Sequence, residues 1–176
     1  MNRSILKLAI PNIISNITIP LLGLVDMILM GHLGSATYIG AIALGGTIFS
    51  VLYSFFSFLR AGTTGFTAQS LGSGDRYEII YSLYRSLAIG IPIIILILAL
   101  QIPIAKLSEI LLDGSDDVKS LALKYFYVRI WAAPANILLY CLNGWFVGMQ
   151  NTRIPMFIAI LINAMNIICS LFFVII

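Results

Sequence analysis

The sequence predicts an all-α, polytopic integral membrane protein, and the prediction rests on its composition and on the spacing of its apolar runs. Of its 176 residues, 60% are hydrophobic and only 10% are charged, and the mean hydropathy is +1.04. A soluble domain averages roughly 45–50% apolar and about 25% charged residues. The composition therefore excludes a soluble enzyme, a disordered tail and a fibrous repeat, and it makes the lipid bilayer the expected environment.

Five apolar stretches are long enough to cross a bilayer, which requires about 20 predominantly apolar residues per helix. We predict one membrane domain over residues 1–176, with transmembrane helices at residues 10–31, 37–60, 79–104, 120–147 and 154–176. The most acidic segment, Ser108–Lys119, is the clearest loop, and Asp116 or Asp117 is expected to cap the helix that follows it. An odd number of spans ending in an apolar run is unusual for a complete protein of this kind, so we expect the chain to be part of a longer one.

The basic residues are dispersed, and their distribution predicts the orientation of the chain. No cluster of four or more Lys or Arg could follow a phosphate backbone, so no nucleic-acid partner is expected. With a cytoplasmic N-terminus, the inner side receives Arg3, Lys7, Arg60, Arg76, Arg85 and Arg153, and the outer side receives Lys106, Lys119 and Lys124. The excess of positive charge inside predicts a multi-pass protein of the cell membrane with its N-terminus in the cytoplasm.

Asp26 is the only acidic residue inside the five predicted spans. At about 100° per residue it shares a helix face with several polar or small residues. These neighbours on the face include Asn12, Ser15, Asn16 and Gly23. A charge inside a membrane costs several kcal/mol and usually faces a cavity or a partner. Asp26 is therefore a candidate carrier of a proton or a sodium ion; the alternative is a carboxyl that only joins helices by hydrogen bonds.

A second polar stripe lies on the last predicted helix. Asn163, Asn166 and Ser170 fall within about 60° of one another on a helical projection. Their oxygens are acceptable ligands for a hard cation, and they serve equally well as hydrogen-bonding groups between helices. If the stripe faces Asp26, the two polar faces are candidates for one shared cation site.

Most other distinctive residues have structural interpretations. Gly144-x-x-x-Gly148 predicts a close helix contact, and Arg129 is expected to extend toward the membrane surface beside Tyr125, Tyr127 and Trp131. Five prolines are expected to kink helices or to lie at their ends, namely Pro11, Pro20, Pro92, Pro103 and Pro134. With a single histidine and no metal-ligand cluster, no enzymatic activity, metal or cofactor is expected.

Three stretches resemble a known family. They are Pro11 with Leu24-Val25-Asp26 and Gly31-His32-Leu33-Gly34, then Phe58–Gly65 with Thr67–Asp75, and finally Gly144–Pro155. In their order and spacing they resemble the multidrug and toxic compound extrusion (MATE) transporters, most of all the DinF-like bacterial branch. The resemblance covers the whole chain.

The resemblance implies a fold of twelve helices in two six-helix lobes, in which the five predicted helices form part of the N-terminal lobe. It implies antiport in which a proton or sodium ion drives export of organic, often cationic, compounds by alternating access. Asp26 falls at the coupling carboxylate of the first helix, Pro11 falls where that helix bends, and the face with Asn12, Asn16 and Gly23 is expected to line the substrate cavity. The implied partners are the bilayer, a small organic substrate and the C-terminal lobe of the same transporter.

The sequence departs from the family on its last helix. Asn166 matches the asparagine of the pattern Asn-x-x-x-Asp, but Ser170 replaces the aspartate that many members have. Coupling is therefore expected to depend on Asp26, with Asn163, Asn166 and Ser170 as neutral members of the site. Two alternatives remain: a lipid-linked oligosaccharide flippase of the same superfamily, and a truncated, inactive fragment.

Overall fold

The computed structural model describes residues 9–11, 13–14, 17, 25 and 36–175, and side chains as far as residue 172. Within these ranges all regular structure is helical, which confirms the predicted all-α class. The elements are α1 (Ala36–Phe55), α2 (Ser57–Ser73), α3 (Arg76–Ala99), α4 (Gln101–Leu111), α5 (Asp116–Arg129), a 3-10 turn (Ile130–Ala132), α6 (Ala133–Gly148) and α7 (Arg153–Ile175). The positions described before residue 36 are helical as well.

Four helical stretches of the described chain are long and apolar enough to cross a membrane: Ala36–Ser73, Arg76–Ala99, Asp116–Gly148 and Arg153–Phe172. The 38 residues of the first would extend about 57 Å, well beyond the roughly 30 Å of bilayer hydrocarbon. The first predicted helix, at residues 10–31, lies largely outside the described residues. The protein is thus a polytopic α-helical membrane protein, as predicted.

Two boundaries differ from their predicted positions. α2 continues past Arg60 to Ser73, because the hydroxyls in this less apolar stretch bond to α3. The predicted loop Ser108–Lys119 is mostly helical, and only residues 112–115 lie between α4 and α5. Ser115 precedes α5, while Asp116 and Asp117 occupy its first turn, where carboxylates interact favourably with the helix dipole.

Two prolines account for breaks in the long helices. Pro103 has no N–H to bond to the carbonyl of Ala99, and the chain departs from regular helix at Leu100, between α3 and α4. Pro134 lies in the first turn of α6, directly after the 3-10 turn, in which Ala133 N–H bonds to the Ile130 carbonyl. Pro103 and Pro134 thus lie at interruptions of the helices, whereas Pro92 lies inside α3, which continues past it.

The helices pack as two groups joined by a common core. α2, α3 and α6 contact one another extensively, and α1 packs along α5. The core between them is formed mainly by buried aliphatic and aromatic side chains, including Ile48, Phe49, Leu59, Ile97, Phe126, Ile130 and Ile137. Among the described residues, α7 packs sparsely, chiefly against α6.

Gly144 and Gly148 allow α6 to approach α2 closely. A Cβ atom at Gly144 would lie 2.6 Å from the Arg60 carbonyl oxygen, and one at Gly148 would lie 2.6 Å from the Thr67 Cβ. Both distances are far below van der Waals contact, so no side chain fits at either position without separating the helices. The close contact predicted from the small-residue motif is confirmed.

Candidate functional site

The predicted site residues fall into two sets. Asp26, Asn12, Asn16 and Gly23 lie outside the described residues. Pro11, from the same predicted helix, is described and is helical and buried. Asn163, Asn166 and Ser170 all lie on α7. The structure therefore gives the geometry of the second polar stripe, and the pairing of that stripe with Asp26 stays a prediction.

On α7 the three polar residues have different environments. The Ser170 hydroxyl donates a hydrogen bond of 3.4 Å to Asn166 Oδ1, and the Asn166 side chain is exposed. Asn163 is only 9% exposed, and its Nδ2 has no hydrogen-bond partner among the described residues. An unpaired buried amide costs about 1–3 kcal/mol. A further polar group placed against Asn163 would therefore stabilise this helix.

Two more buried polar atoms without partners lie close by in the chain. In the described part, the side-chain atoms that are buried and lack a hydrogen bond are Asn143 Oδ1 on α6, Thr152 Oγ1 before α7, and Asn163 Nδ2. All three belong to the hairpin formed by α6 and α7. Sequence reasoning missed Asn143 and Thr152, although an amide directly before Gly144, in the middle of an apolar span, was an available signal.

The hydroxyls between α2 and α3 are, by contrast, fully used. Thr63 donates to Ser86 Oγ at 2.6 Å, and the Thr67 and Ser82 hydroxyls lie 2.8 Å apart and share a hydrogen bond. On α6, Trp145 Nε1 donates to the Ile79 carbonyl of α3 at 2.8 Å. These bonds hold α2, α3 and α6 together as a scaffold. The α6–α7 hairpin is therefore the part of the described bundle with unused hydrogen-bonding capacity.

Arg129 is exposed and lies beside Tyr125, one of the three aromatic residues expected near it. Its guanidinium lies over the rings of Phe49 (5.0 Å to the centroid) and Tyr125 (5.4 Å), and it donates a hydrogen bond to the Tyr125 hydroxyl. Two aromatic faces thus surround the charge on the side where α5 packs against α1. Tyr127 and Trp131 are exposed, as residues of an interfacial belt would be.

No group of three or more His, Cys, Asp or Glu side chains that could hold a metal ion occurs among the described residues. The polar atoms on α6 and α7 are amide and hydroxyl groups. Such groups can form hydrogen bonds with a protonated carboxyl, or their oxygens can coordinate a hard monovalent cation. They cannot provide the negative charge themselves. In the predicted site that charge has to come from Asp26.

The helical bundle and its composition define the class, a polytopic α-helical membrane protein. Comparison with known proteins then gives the family, because the MatE family model matches residues 11–172. The chain belongs to the MatE family. The resemblance to MATE transporters that the motifs indicated is thereby confirmed.

Curated relatives match almost the entire chain. DNA damage-inducible protein F of Escherichia coli (strain K12) is 36% identical over 173 residues, which are 98% of this chain and 38% of that protein. Multidrug resistance protein MdtK of Edwardsiella ictaluri is 30% identical over 164 residues, 92% of this chain and 36% of the relative. Probable multidrug resistance protein NorM of Rhizobium meliloti is 24% identical over 167 residues, which are 93% of this chain and 35% of that protein. The chain thus spans less than two fifths of the length of these relatives.

Proposed function

We propose that the complete protein exports organic, often cationic, compounds across the cell membrane by antiport coupled to protons or sodium ions. Membership of the MatE family over residues 11–172 is the observation that carries this proposal. It is supported by two of the relatives, which are named as multidrug resistance proteins. It is also supported by the four membrane-length helices of the described chain. The chain described here would supply part of the N-terminal lobe and of its cavity.

In this proposal Asp26 carries the coupling ion. A proton or cation at Asp26 cancels the charge and biases the first helix between two conformations, with Pro11 at its bend. Substrate competes for the cavity formed by the polar face of that helix, at Asn12, Asn16 and Gly23. Asn163 Nδ2 is buried and has no hydrogen-bond partner among the residues that the structure describes, which supports a role for α7 in the same site, since a carboxylate is a suitable acceptor for it.

The function can be tested by transport in inverted membrane vesicles that contain the full-length protein. We expect a lipophilic dye cation to accumulate when a proton or sodium gradient is imposed, and to leak out when the gradient is dissipated. Vesicles without the protein are the control. If accumulation were the same in both preparations under either gradient, antiport would be the wrong function.

The residue at position 170 affects which ion the site can bind, because it sets the number of negative charges in the site. With a serine there, the site holds one negative charge at most, which a proton neutralises fully, whereas sodium would need several neutral oxygens around it. Asn166 Oδ1 already accepts a hydrogen bond from the Ser170 hydroxyl, so this oxygen is partly used. We therefore propose that the proton is the coupling ion.

Restoring a carboxylate is expected to change the ion dependence. Wild-type export should follow the pH gradient and persist when choline replaces sodium. Ser170→Asp should strengthen sodium binding about tenfold, because ligand charge largely sets affinity for hard cations. Ser170→Asn, which adds a polar group without charge, is the matched control. Strict sodium dependence of the wild-type protein would contradict the assignment of the proton.

Orientation in the membrane is part of the same proposal. Ser73, at the end of α2, should face the cytoplasm, and Ser115, before α5, should face the opposite side; both are exposed. Cysteines introduced by Ser73→Cys and Ser115→Cys, after replacement of Cys141 and Cys169, should react with an impermeant reagent from opposite sides. Labelling of both from one side would overturn the helix map.

A lipid-linked oligosaccharide flippase is the alternative function. Its polyanionic substrate would require a cavity with several cationic side chains. The arginines within the described spans lie on different helices: Arg60 on α2, Arg85 on α3 and Arg129 on α5. Arg85 is paired with Glu78, and the exposed Arg129 guanidinium lies over the rings of Phe49 and Tyr125. The geometry therefore favours the export of organic cations.

A further inference from the structure

A groove of about 260 Å³ lies between α2 and α3, and three of the apolar side chains that line it, Phe58, Phe66 and Ile89, are more than half exposed. Phe58, Gly62 and Phe66 line it from α2, and Arg85 and Ile89 line it from α3. The hydroxyls at its floor, on Thr63 and Ser86, bond to each other rather than to anything in the groove. The groove therefore offers an occupant an apolar surface with a single charged group, Arg85.

The position of Arg85 along its helix places the groove at the edge of the bilayer. Residues 86–105 carry no charged side chain, and Lys106 follows them. Along the two consecutive helices α3 and α4, at 1.5 Å per residue, this uncharged stretch is at most about 30 Å long, close to the thickness of the hydrocarbon core. Arg85, at one end of the stretch, is therefore expected at the level where lipid headgroups meet acyl chains. From Arg85 the groove extends along both helices toward Phe58 and Ile89.

Beside the groove, Arg85 is paired with Glu78, an acidic residue that is not part of the groove lining. Arg85 Nη1 and Nη2 donate to Glu78 Oε2 and Oε1 at 2.8 and 3.1 Å, and the two side chains are 65% and 42% exposed. A guanidinium has five N–H groups, so three remain for another acceptor. The exposed Glu78 carboxylate likewise retains lone pairs for a cationic donor. The pair has no net charge, but it presents a donor side and an acceptor side next to each other.

We propose that this groove binds a phospholipid with a zwitterionic ethanolamine headgroup. The phosphate accepts hydrogen bonds from Arg85, the primary ammonium donates to Glu78, and one acyl chain occupies the groove over Gly62. An ethanolamine headgroup matches the exposed ion pair because it carries both a phosphate and an ammonium group. An anionic lipid would be repelled by the Glu78 carboxylate, and the quaternary ammonium of a choline lipid has no N–H to donate to it.

Gly62 provides a test of the acyl-chain part of the site. A Cβ atom at Gly62 meets no atom of the described residues within 4 Å, and the same is true at Gly65, one turn along α2. Gly62 lines the groove, whereas Gly65 does not. Gly62→Leu should therefore fill the groove, and Gly65→Leu adds the same side chain to the same helix outside it.

The experiment is native mass spectrometry of the full-length protein in detergent, with equal amounts of dioleoyl phosphatidylethanolamine, phosphatidylglycerol and phosphatidylcholine added. We expect the ethanolamine adduct to exceed the other two about two- to fivefold, as for exposed charge pairs. Gly62→Leu should reduce all adducts by a similar factor, and Gly65→Leu should leave them unchanged. Equal adducts for the two leucine variants would overturn the assignment of the groove.

Glu78→Gln tests whether the ion pair selects the lipid headgroup. The substitution lies outside the groove lining, so it does not change the packing of the groove. It keeps the size of the side chain and its contact with Arg85 but removes the charge that receives the ammonium. The preference for the ethanolamine lipid should disappear, and phosphatidylglycerol should bind about two- to fivefold better than before, because Arg85 is then uncompensated. An unchanged preference in this variant would show that the ion pair does not select the headgroup.

Discussion

Gly144→Leu is expected to prevent stable packing of α6 on α2. The new Cβ would lie 2.6 Å from the Arg60 carbonyl oxygen and 2.9 Å from the Thr63 Cβ, so the backbone of one helix has to move. That movement would also break the 3.1 Å hydrogen bond from Thr64 Oγ1 to the Gly144 carbonyl. Forced overpacking of this kind costs about 3 kcal/mol. We expect little monodisperse protein and a lowered unfolding temperature in detergent.

The control is Gly65→Leu on the facing helix, where a side chain meets no described atom within 4 Å. This variant should have the yield and the unfolding temperature of the wild type. If Gly144→Leu were as stable as Gly65→Leu, the close approach of α6 to α2 described here would be wrong.

Asp26→Asn is expected to reduce coupled export by the full-length protein to background, while expression and membrane insertion stay near normal. The amide keeps the volume and much of the hydrogen bonding of the carboxyl but cannot take up or release a proton. Dye efflux from cells, normalised to the amount of protein in the membrane, measures the effect. Asp26→Glu is the matched control, because it keeps the ionisable group and should retain part of the activity.

The two hypotheses for Asp26, an ion carrier or a structural hydrogen-bonding group, predict different export by Asp26→Asn. A carboxyl that only joins helices would be replaced by asparagine with little loss, because an amide makes the same kind of hydrogen bond. Export by Asp26→Asn at a large fraction of the wild-type rate would therefore assign Asp26 a structural role.

Much of the fold could be predicted from the sequence because a membrane imposes simple constraints. Uninterrupted apolar runs located the helices, since every backbone polar group in lipid has to be bonded internally. Gly144 and Gly148 predicted a close contact because small residues are what permits two helix backbones to approach. Pro103 and Pro134 predicted breaks because proline has no N–H to donate.

The rest depended on contacts between residues far apart in the chain. Hydropathy ended the second span at Arg60, yet α2 continues because Thr63 and Thr67 find hydroxyl partners on α3, which no local pattern shows. The same limit applies to the site. Polarity marked Asn163, whereas Asn143 Oδ1 is buried without a partner in the described part of the chain because of the way α6 is packed.

The central claim is that Asp26 couples substrate export to proton uptake by releasing its proton when substrate binds. A measurement of proton release on substrate binding tests this claim most directly. The full-length protein, in detergent and weak buffer, is mixed with a lipophilic dye cation, and the pH is recorded with an indicator. The proposal predicts release of about one proton per dye bound at low pH, since linkage between two ligands is reciprocal. It also predicts no release from Asp26→Asn. Dye binding to the wild type without proton release, or equal release by Asp26→Asn, would contradict the account.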